Sequence, residues 1–172
     1  MWDRAAATIE WPSAGFPGIR INPLTLVPEI TNEDECLAAL ESGNNPVDRI
    51  FVLLVQGNTA DAAELLAEAR YTDPESLRLR IFEAELLRVS HRYDPAVVLY
   101  RQLLAEVAGT ATEALILQHL GTAYYASGHV AAAVETFSKA LDLQVAGAAE
   151  AAQIYMSTVA LQRARDTLEL AS

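Results

Sequence analysis

Three alanines, Ala62, Ala96 and Ala133, stand 34 and 37 residues apart, and each is followed four residues later by a bulky side chain: Leu66, Tyr100 or Phe137. Three residues further come Ala69, Leu103 and Ala140. Positions i, i+4 and i+7 share one stripe of an α-helix, so three helices of one design are predicted. Each follows a turn position (Gly57, His91, Gly128) and an earlier helical stripe marked by Ile50 and Leu53, Ala84 and Leu87, or Gly121 and Tyr124. A single helical hairpin cannot bury its apolar face alone, so a recurring hairpin constrains the chain to a stack.

The third copy contains HLGTAYYASGHVAAAVETFSKAL (119–141). Leu117, Leu120, Gly121 and Tyr124 form its first stripe, and Ala133, Phe137 and Ala140 its second. This copy resembles the tetratricopeptide repeat (TPR) family, a 34-residue helix–turn–helix unit with an L-G-x2-Y…A-x3-F signature. Gly121 and Ala133 let two helices approach, while Tyr124 and Phe137 fill the space beside the crossing. The longer 37-residue interval places its extra residues around AGTATE (108–113), where insertion is cheap. Copies one and two depart from the signature: Ile50 replaces the small residue, and Arg80 and Glu83 occupy usually apolar positions.

The resemblance implies an all-α, TPR-like helical-repeat solenoid: three helix-turn-helix repeats (43–76, 77–113, 114–147) and a C-terminal capping helix (148–172). It also implies a concave groove lined by the first helix of each repeat. By register the groove positions are Asn44, Val47, Phe51 and Leu54 in copy one and Arg78, Ile81, Glu85 and Arg88 in copy two. Copy three supplies Leu115, Gln118, Thr122 and Tyr125. The groove would pass from apolar, through an arginine-bearing centre, to polar and aromatic. The implied partner is a peptide or protein segment, with an acidic group or free C-terminal carboxylate suited to the arginine fork. An equal alternative is that the arginines offset nearby acidic residues on a solvated face. The lysines of the family's chaperone-binding carboxylate clamp are missing, and Val47 and Phe51 stand at clamp positions.

The flanks differ from the repeats. Pro12, Pro17, Pro23 and Pro28, interleaved with Gly15 and Gly18, interrupt helix propagation. Residues 1–30 therefore read as an extended arm with little regular structure, including a short extended piece at IRINPLTLV. Trp2, Trp11, Phe16, Ile19, Ile21, Leu24 and Leu26 are too apolar to stay solvated, so the arm is expected to pack on the molecule or a partner. TNEDECLAALESG reads as a short leading helix (31–42), capped by Thr31 or Asn32 and ended by Gly43. Asn45-Pro46, Asp73-Pro74 and Asp94-Pro95 each read as a cap with proline at the first helical position. IFVLLV (50–55) fits a helix by its flanks and spacing. Residues 148–170 lack Gly and Pro; Ile154, Thr158 and Leu161 are expected inward, and Gln153, Arg163 and Asp166 in water.

Charge narrows the partners. The chain carries a net charge of −11, and Lys139 is its only lysine. Such a surface repels phosphate backbones and anionic membranes, so neither nucleic acid nor membrane is an expected partner. The arginine-rich block 77–113 is locally neutral. No stretch reaches the roughly 18 apolar residues of a membrane span, and the N-terminus lacks a secretory pattern. With Cys36 alone no intrachain disulfide forms, and a cytoplasmic location is expected.

His119, Tyr124, Tyr125, Ser127 and His129 crowd eleven residues. Tyr124 reads as core, and His129, like His91, as a turn residue. The histidines lack i, i+4 spacing and no cysteine or carboxylate completes a metal set. Ser127 has no strand–turn–helix elbow. No glycine-rich phosphate loop exists. The expectation is a non-catalytic interaction module or scaffold without cofactor or metal. A homo-oligomer whose groove takes its own or a neighbour's N-terminal arm is the second reading, and an enzyme using the His119–His129 region the third.

Overall fold

The computed structural model describes residues 9–172. The described chain is mostly helical, with eight helices and one small sheet. The helices are α1 (Glu33–Ser42), α2 (Pro46–Val55), α3 (Thr59–Thr72), α4 (Leu77–Val89), α5 (Tyr93–Val107), α6 (Glu113–Ala126), α7 (Val130–Ala146) and α8 (Ala151–Ala171). From α2 onward each helix packs against the next, and α2–α4 and α4–α6 also touch directly. Thus α4 touches both α2 and α6, and α3 and α5 each contact the two helices they connect.

The periodic alanines and bulky residues form the interior of this stack. Ala62, Ala96 and Ala133 have no exposed surface, and neither do Tyr100 and Phe137. The turns repeat as well. The N–H groups of Asn58, Arg92 and His129 donate to the carbonyls of Leu53, Leu87 and Tyr124 at 2.9, 2.8 and 2.9 Å. The preceding residues, Gly57, His91 and Gly128, have φ of 74°, 59° and 84°. This is the Schellman end, which needs a left-handed residue. Glycine meets that need freely; His91 bears a cost of about 1 kcal/mol, with its Nδ1 held 2.8 Å from the Tyr93 hydroxyl. Arg80 and Glu83, polar at usually apolar positions, bridge helices: Arg80 holds Glu106 of α5 at 2.7 and 2.6 Å, and Glu83 meets Arg70 of α3 at 2.9 Å.

The N-terminal region differs from the expected irregular arm. Its first eight residues, including Trp2, lie outside the described residues. Residues 13–30 form an antiparallel meander: β1 (Ser13–Phe16), β2 (Ile19–Ile21) and β3 (Pro28–Ile30), with register Phe16↔Ile19 and Ile19↔Ile30. Prolines that exclude helix allow strand ends, and strands this short need no long alternation to announce them. Gly18, at φ 76°, sits where a Cβ would meet the Cys36 nitrogen at 2.9 Å and the Asn32 carbonyl closer still. Its carbonyl accepts from the N–H groups of Thr31 and Asn32 at 2.8 and 3.2 Å. The sheet is therefore fastened to the start of α1, whose Asn32 cap receives the Glu35 N–H at 3.0 Å.

Four local expectations change. Only Asn45-Pro46 caps a helix as expected, with Asn45 Oδ1 3.1 Å from the Val47 nitrogen. Asp73 ends α3, and Ser76 caps α4 instead; Asp94-Pro95 lies inside the first turn of α5. On α8 the inner face is Ser157, Ala160, Leu161 and Ala164, while Thr158 is exposed. Arg163, expected in water, is half-buried because it binds the N-terminal segment. A cap whose inner contacts are small residues sits close to α7, which a count of large apolar residues misses.

Candidate functional site

The α2–α4–α6 face carries the positions singled out for binding, and the structure divides them. Asn44 and Leu115 are exposed, and Ile81 is buried in the core with Ala84, Tyr100 and Ile116. Val47 is half-buried beside Ile50 and Leu66. Phe51 stacks on Phe82 with centroids 6.2 Å apart and meets Phe16 of the sheet edge-on at 6.3 Å. Arg78, on the exposed side, is bonded to Asp48 at 2.8 Å and covers the Phe82 ring at 5.4 Å. Leu54, Glu85 and Arg88 are buried.

Glu85 and Arg88 centre a buried polar cluster among the apolar side chains of the second hairpin. Arg88 Nη2 lies 2.7 Å from Glu85 Oε2. The Tyr100 hydroxyl donates to Glu85 Oε1, and His119 Nδ1 stands 3.0 Å from the same oxygen. His119 stacks on Tyr100 with the rings 7° from parallel. Burial alone raises the Glu85 carboxyl, but the charges of Arg88 and His119 and their hydrogen bonds hold it well below the ordinary carboxylate range. Burial together with the Glu85 charge pushes the Tyr100 phenol up. The cluster has a sequence cause. Tyr100 stands where copy three has Phe137 and copy one Leu66, so only copy two has a core hydroxyl that needs an acceptor. Glu85 and Arg88 stand where copy one has Phe51 and Leu54, and copy three Thr122 and Tyr125. The coincidence of Tyr100 with Glu85 one hairpin position away is the signal that could have found it.

Copy three turns its polar positions toward α8 and the N-terminal segment. Gln118 donates to Ser157, which bonds Gln144, and Thr122 donates to the Gln118 carbonyl at 3.1 Å. Tyr125 is 2.9 Å from Thr167 Oγ1, and its hydroxyl donates to the Leu24 carbonyl at 3.3 Å. Arg163 Nε donates to the same carbonyl at 3.0 Å. Two residues on, Leu26 is 1% exposed and packs with Phe137, Ala160, Leu161 and Ala164. Its backbone is left-handed, φ 64°, a conformation a leucine adopts only where its surroundings hold it. Tyr155 of α8 donates to the Glu10 carbonyl at 2.6 Å. The N-terminal segment thus crosses from α2, where β3 packs, to α8. Sequence reasoning marked its apolar residues but missed where they seat.

The residues that suggested catalysis separate. His119 faces Glu85 from within α6, whereas His129 lies beyond the turn that ends α6, as the N-cap of α7. His129 Nδ1 is 2.9 Å from Ser127 Oγ, and that hydroxyl donates to the Tyr124 carbonyl at 3.1 Å. The contact closes the turn. Among the described residues no group of three or more His, Cys, Asp or Glu side chains is placed to hold a metal ion, and no helix is long and apolar enough to cross a membrane.

Comparison of the chain with family models, with curated proteins and with solved structures gives no match.

Proposed function

We propose that this chain is a non-catalytic protein-interaction module. It is a three-hairpin, TPR-like array capped by α8, and it binds an extended protein segment across the α2–α4–α6 face. The observation that carries the reading is the seating of residues 22–28. A non-helical stretch runs from this face to α8, with one leucine in an apolar socket formed by α7 and α8 and one backbone carbonyl between two donors, Tyr125 of α6 and Arg163 of α8. Apolar sockets supply affinity, and main-chain acceptors supply orientation without demanding a particular sequence. Arg78 and Arg88 already have Asp48 and Glu85 as partners. The support therefore favours backbone carbonyls over an acidic group as the recognised feature.

A second reading is favoured by the same contact: the socket belongs to the N-terminal segment, of this copy or a neighbour, and the protein self-associates. The full-length Leu26→Asp variant separates the two, because a carboxylate cannot enter the Phe137–Leu161 socket without losing its hydration. The variant is expected to bind a fluorescent peptide of residues 9–30 in an anisotropy titration, while wild type, whose socket is filled, does not. Light scattering on both proteins then reads the assembly state. A wild-type dimer that dissociates in Leu26→Asp supports exchange between copies; monomers throughout leave the socket for a partner. Failure of the variant to bind the peptide, with its helical circular dichroism intact, would sink the segment-binding reading.

A further inference from the structure

The β2–β3 hairpin is fastened differently at its two ends. At its base the Gly18 carbonyl accepts from Thr31 and Asn32 at 2.8 and 3.2 Å, and Ile19 is sealed against Cys36 and Val52. At its tip, residues 22–27, a single leucine enters the α7–α8 socket and a single carbonyl is shared by Tyr125 and Arg163. Leu24, which supplies that carbonyl, is itself 52% exposed. Between base and tip lies a space of about 220 Å³, lined by Val27 and Pro28 of the hairpin and by Leu54, Val89 and Ala126 of three helices. The middle of the hairpin is thus incompletely packed, and its lining forgoes the dispersion contacts that a filled space would give.

Three features make the tip the part that opens first. Seating Leu26 requires φ 64°, which offsets part of what its burial gains. The neck of the loop is closed by the Asn22 N–H on the Val27 carbonyl at 3.0 Å, next to the strand pair Ile21↔Pro28, so the tip can lift without breaking the strands apart. The socket walls, α7 and α8, pack directly on each other, so lifting the tip breaks no helix contact. A segment with few buried apolar contacts opens at less cost than the whole fold. We propose that residues 22–27 are an autoinhibitory latch: the tip lifts from Tyr125, Arg163 and the socket while the base stays on α1 and α2, and only the lifted state admits a partner's segment. The inference rests on the reading of this face as a segment-binding surface and adds how that surface is regulated. A partner meets an affinity reduced by the fraction of molecules that are open.

Methyl-labelled full-length protein reads the motion without any ligand. Chemical exchange saturation transfer is expected to show one shared minor state at the methyls of Leu26, Ala160 and Ala164, with Leu26 shifts near those of a solvated leucine. Ile19 at the base and Ala62 in the first hairpin are expected to show none. Leu26→Ala leaves the socket residues untouched but removes most of the apolar surface that holds the tip. Peptide 9–30 is expected to bind this variant at least about tenfold more tightly than wild type in an anisotropy titration. The latch is overturned by the absence of the minor state in wild type. It is also overturned by exchange shared with Ile19, which would mean that the whole meander leaves, or with Ala62, which would mean global unfolding. A peptide that binds Leu26→Asp in a protein without tip exchange sinks the latch alone. Tip exchange with a peptide that binds neither variant sinks the segment-binding face, and the autoinhibitory role with it.

Discussion

Glu85→Gln is expected to lower the melting temperature by about 6–20 °C, since removing one member of a buried ion pair costs about 3–5 kcal/mol and each kcal/mol moves a domain of this size by about 2–4 °C. The loss arises from what remains. Arg88 keeps its charge at 7% exposure without a counterion, and Tyr100 and His119 lose the carboxylate both point to. Replacing the whole cluster should cost less than breaking it. The triple variant Glu85→Leu, Arg88→Leu, Tyr100→Phe gives copy two an apolar set like that of copy one, and is expected to recover most of the stability. Differential scanning calorimetry on the single and triple variants decides the matter; a triple variant less stable than Glu85→Gln would show that the cluster contributes net stability.

The same group predicts an acid dependence. The unfolded chain takes up its Glu85 proton near the ordinary value of 4.5, whereas the folded chain resists protonation to much lower pH. Stability from Glu85 is therefore complete above pH 4.5 and is lost progressively as pH falls below it. The gap between wild type and Glu85→Gln is expected to narrow from pH 6 to pH 3 in thermal melts, to a degree of order the single-variant loss itself. A gap that widens toward acid would contradict the charged pair.

The second large effect is at the crossing of α6 and α7. Gly121→Leu is expected to destabilise by about 3 kcal/mol or more through overpacking. Even a single added Cβ at Gly121 would lie 2.5–2.9 Å from three atoms of the Phe137 ring, and that ring has no exposed surface into which to move. The clash is with one side chain, so it is separable. Gly121→Ala combined with Phe137→Leu is expected to be more stable than the sum of the two single losses predicts, because the smaller residue vacates the space the methyl needs. Chemical denaturation of the four proteins measures the coupling. Additive losses, or a wild-type midpoint for Gly121→Leu, would mean that these two residues do not meet.

Much of the helical stack is legible in the chain because its determinants are local. Gly57 and Gly128 mark turns by their conformational freedom, Asn32 and Asn45 cap helices through bonds two or three residues long, and Ala133–Phe137–Ala140 sets a buried stripe by periodicity alone. The candidate binding positions were less legible. Register placed Phe51, Leu54, Glu85, Arg88 and Tyr125 on related helix positions, yet it gave no sign that Ile81 would be sealed in the core, and it left evenly balanced the choice between a free Arg78 and one spent on an acidic neighbour, which is Asp48. Periodicity assigns a face, whereas burial depends on what covers the face.

What covers it was decided only by tertiary structure. The sequence by itself determined that residues 9–30 contain no helix-compatible run and too many apolar side chains to stay in water. It could not determine that they pair as three short strands, or that Leu26 seats against Phe137 while the Leu24 carbonyl meets Tyr125 and Arg163, about a hundred residues and more along the chain. Such contacts have no period and no spacing. They form because one apolar segment and one apolar socket remain after the helices have packed, and burying the two against each other removes both from water.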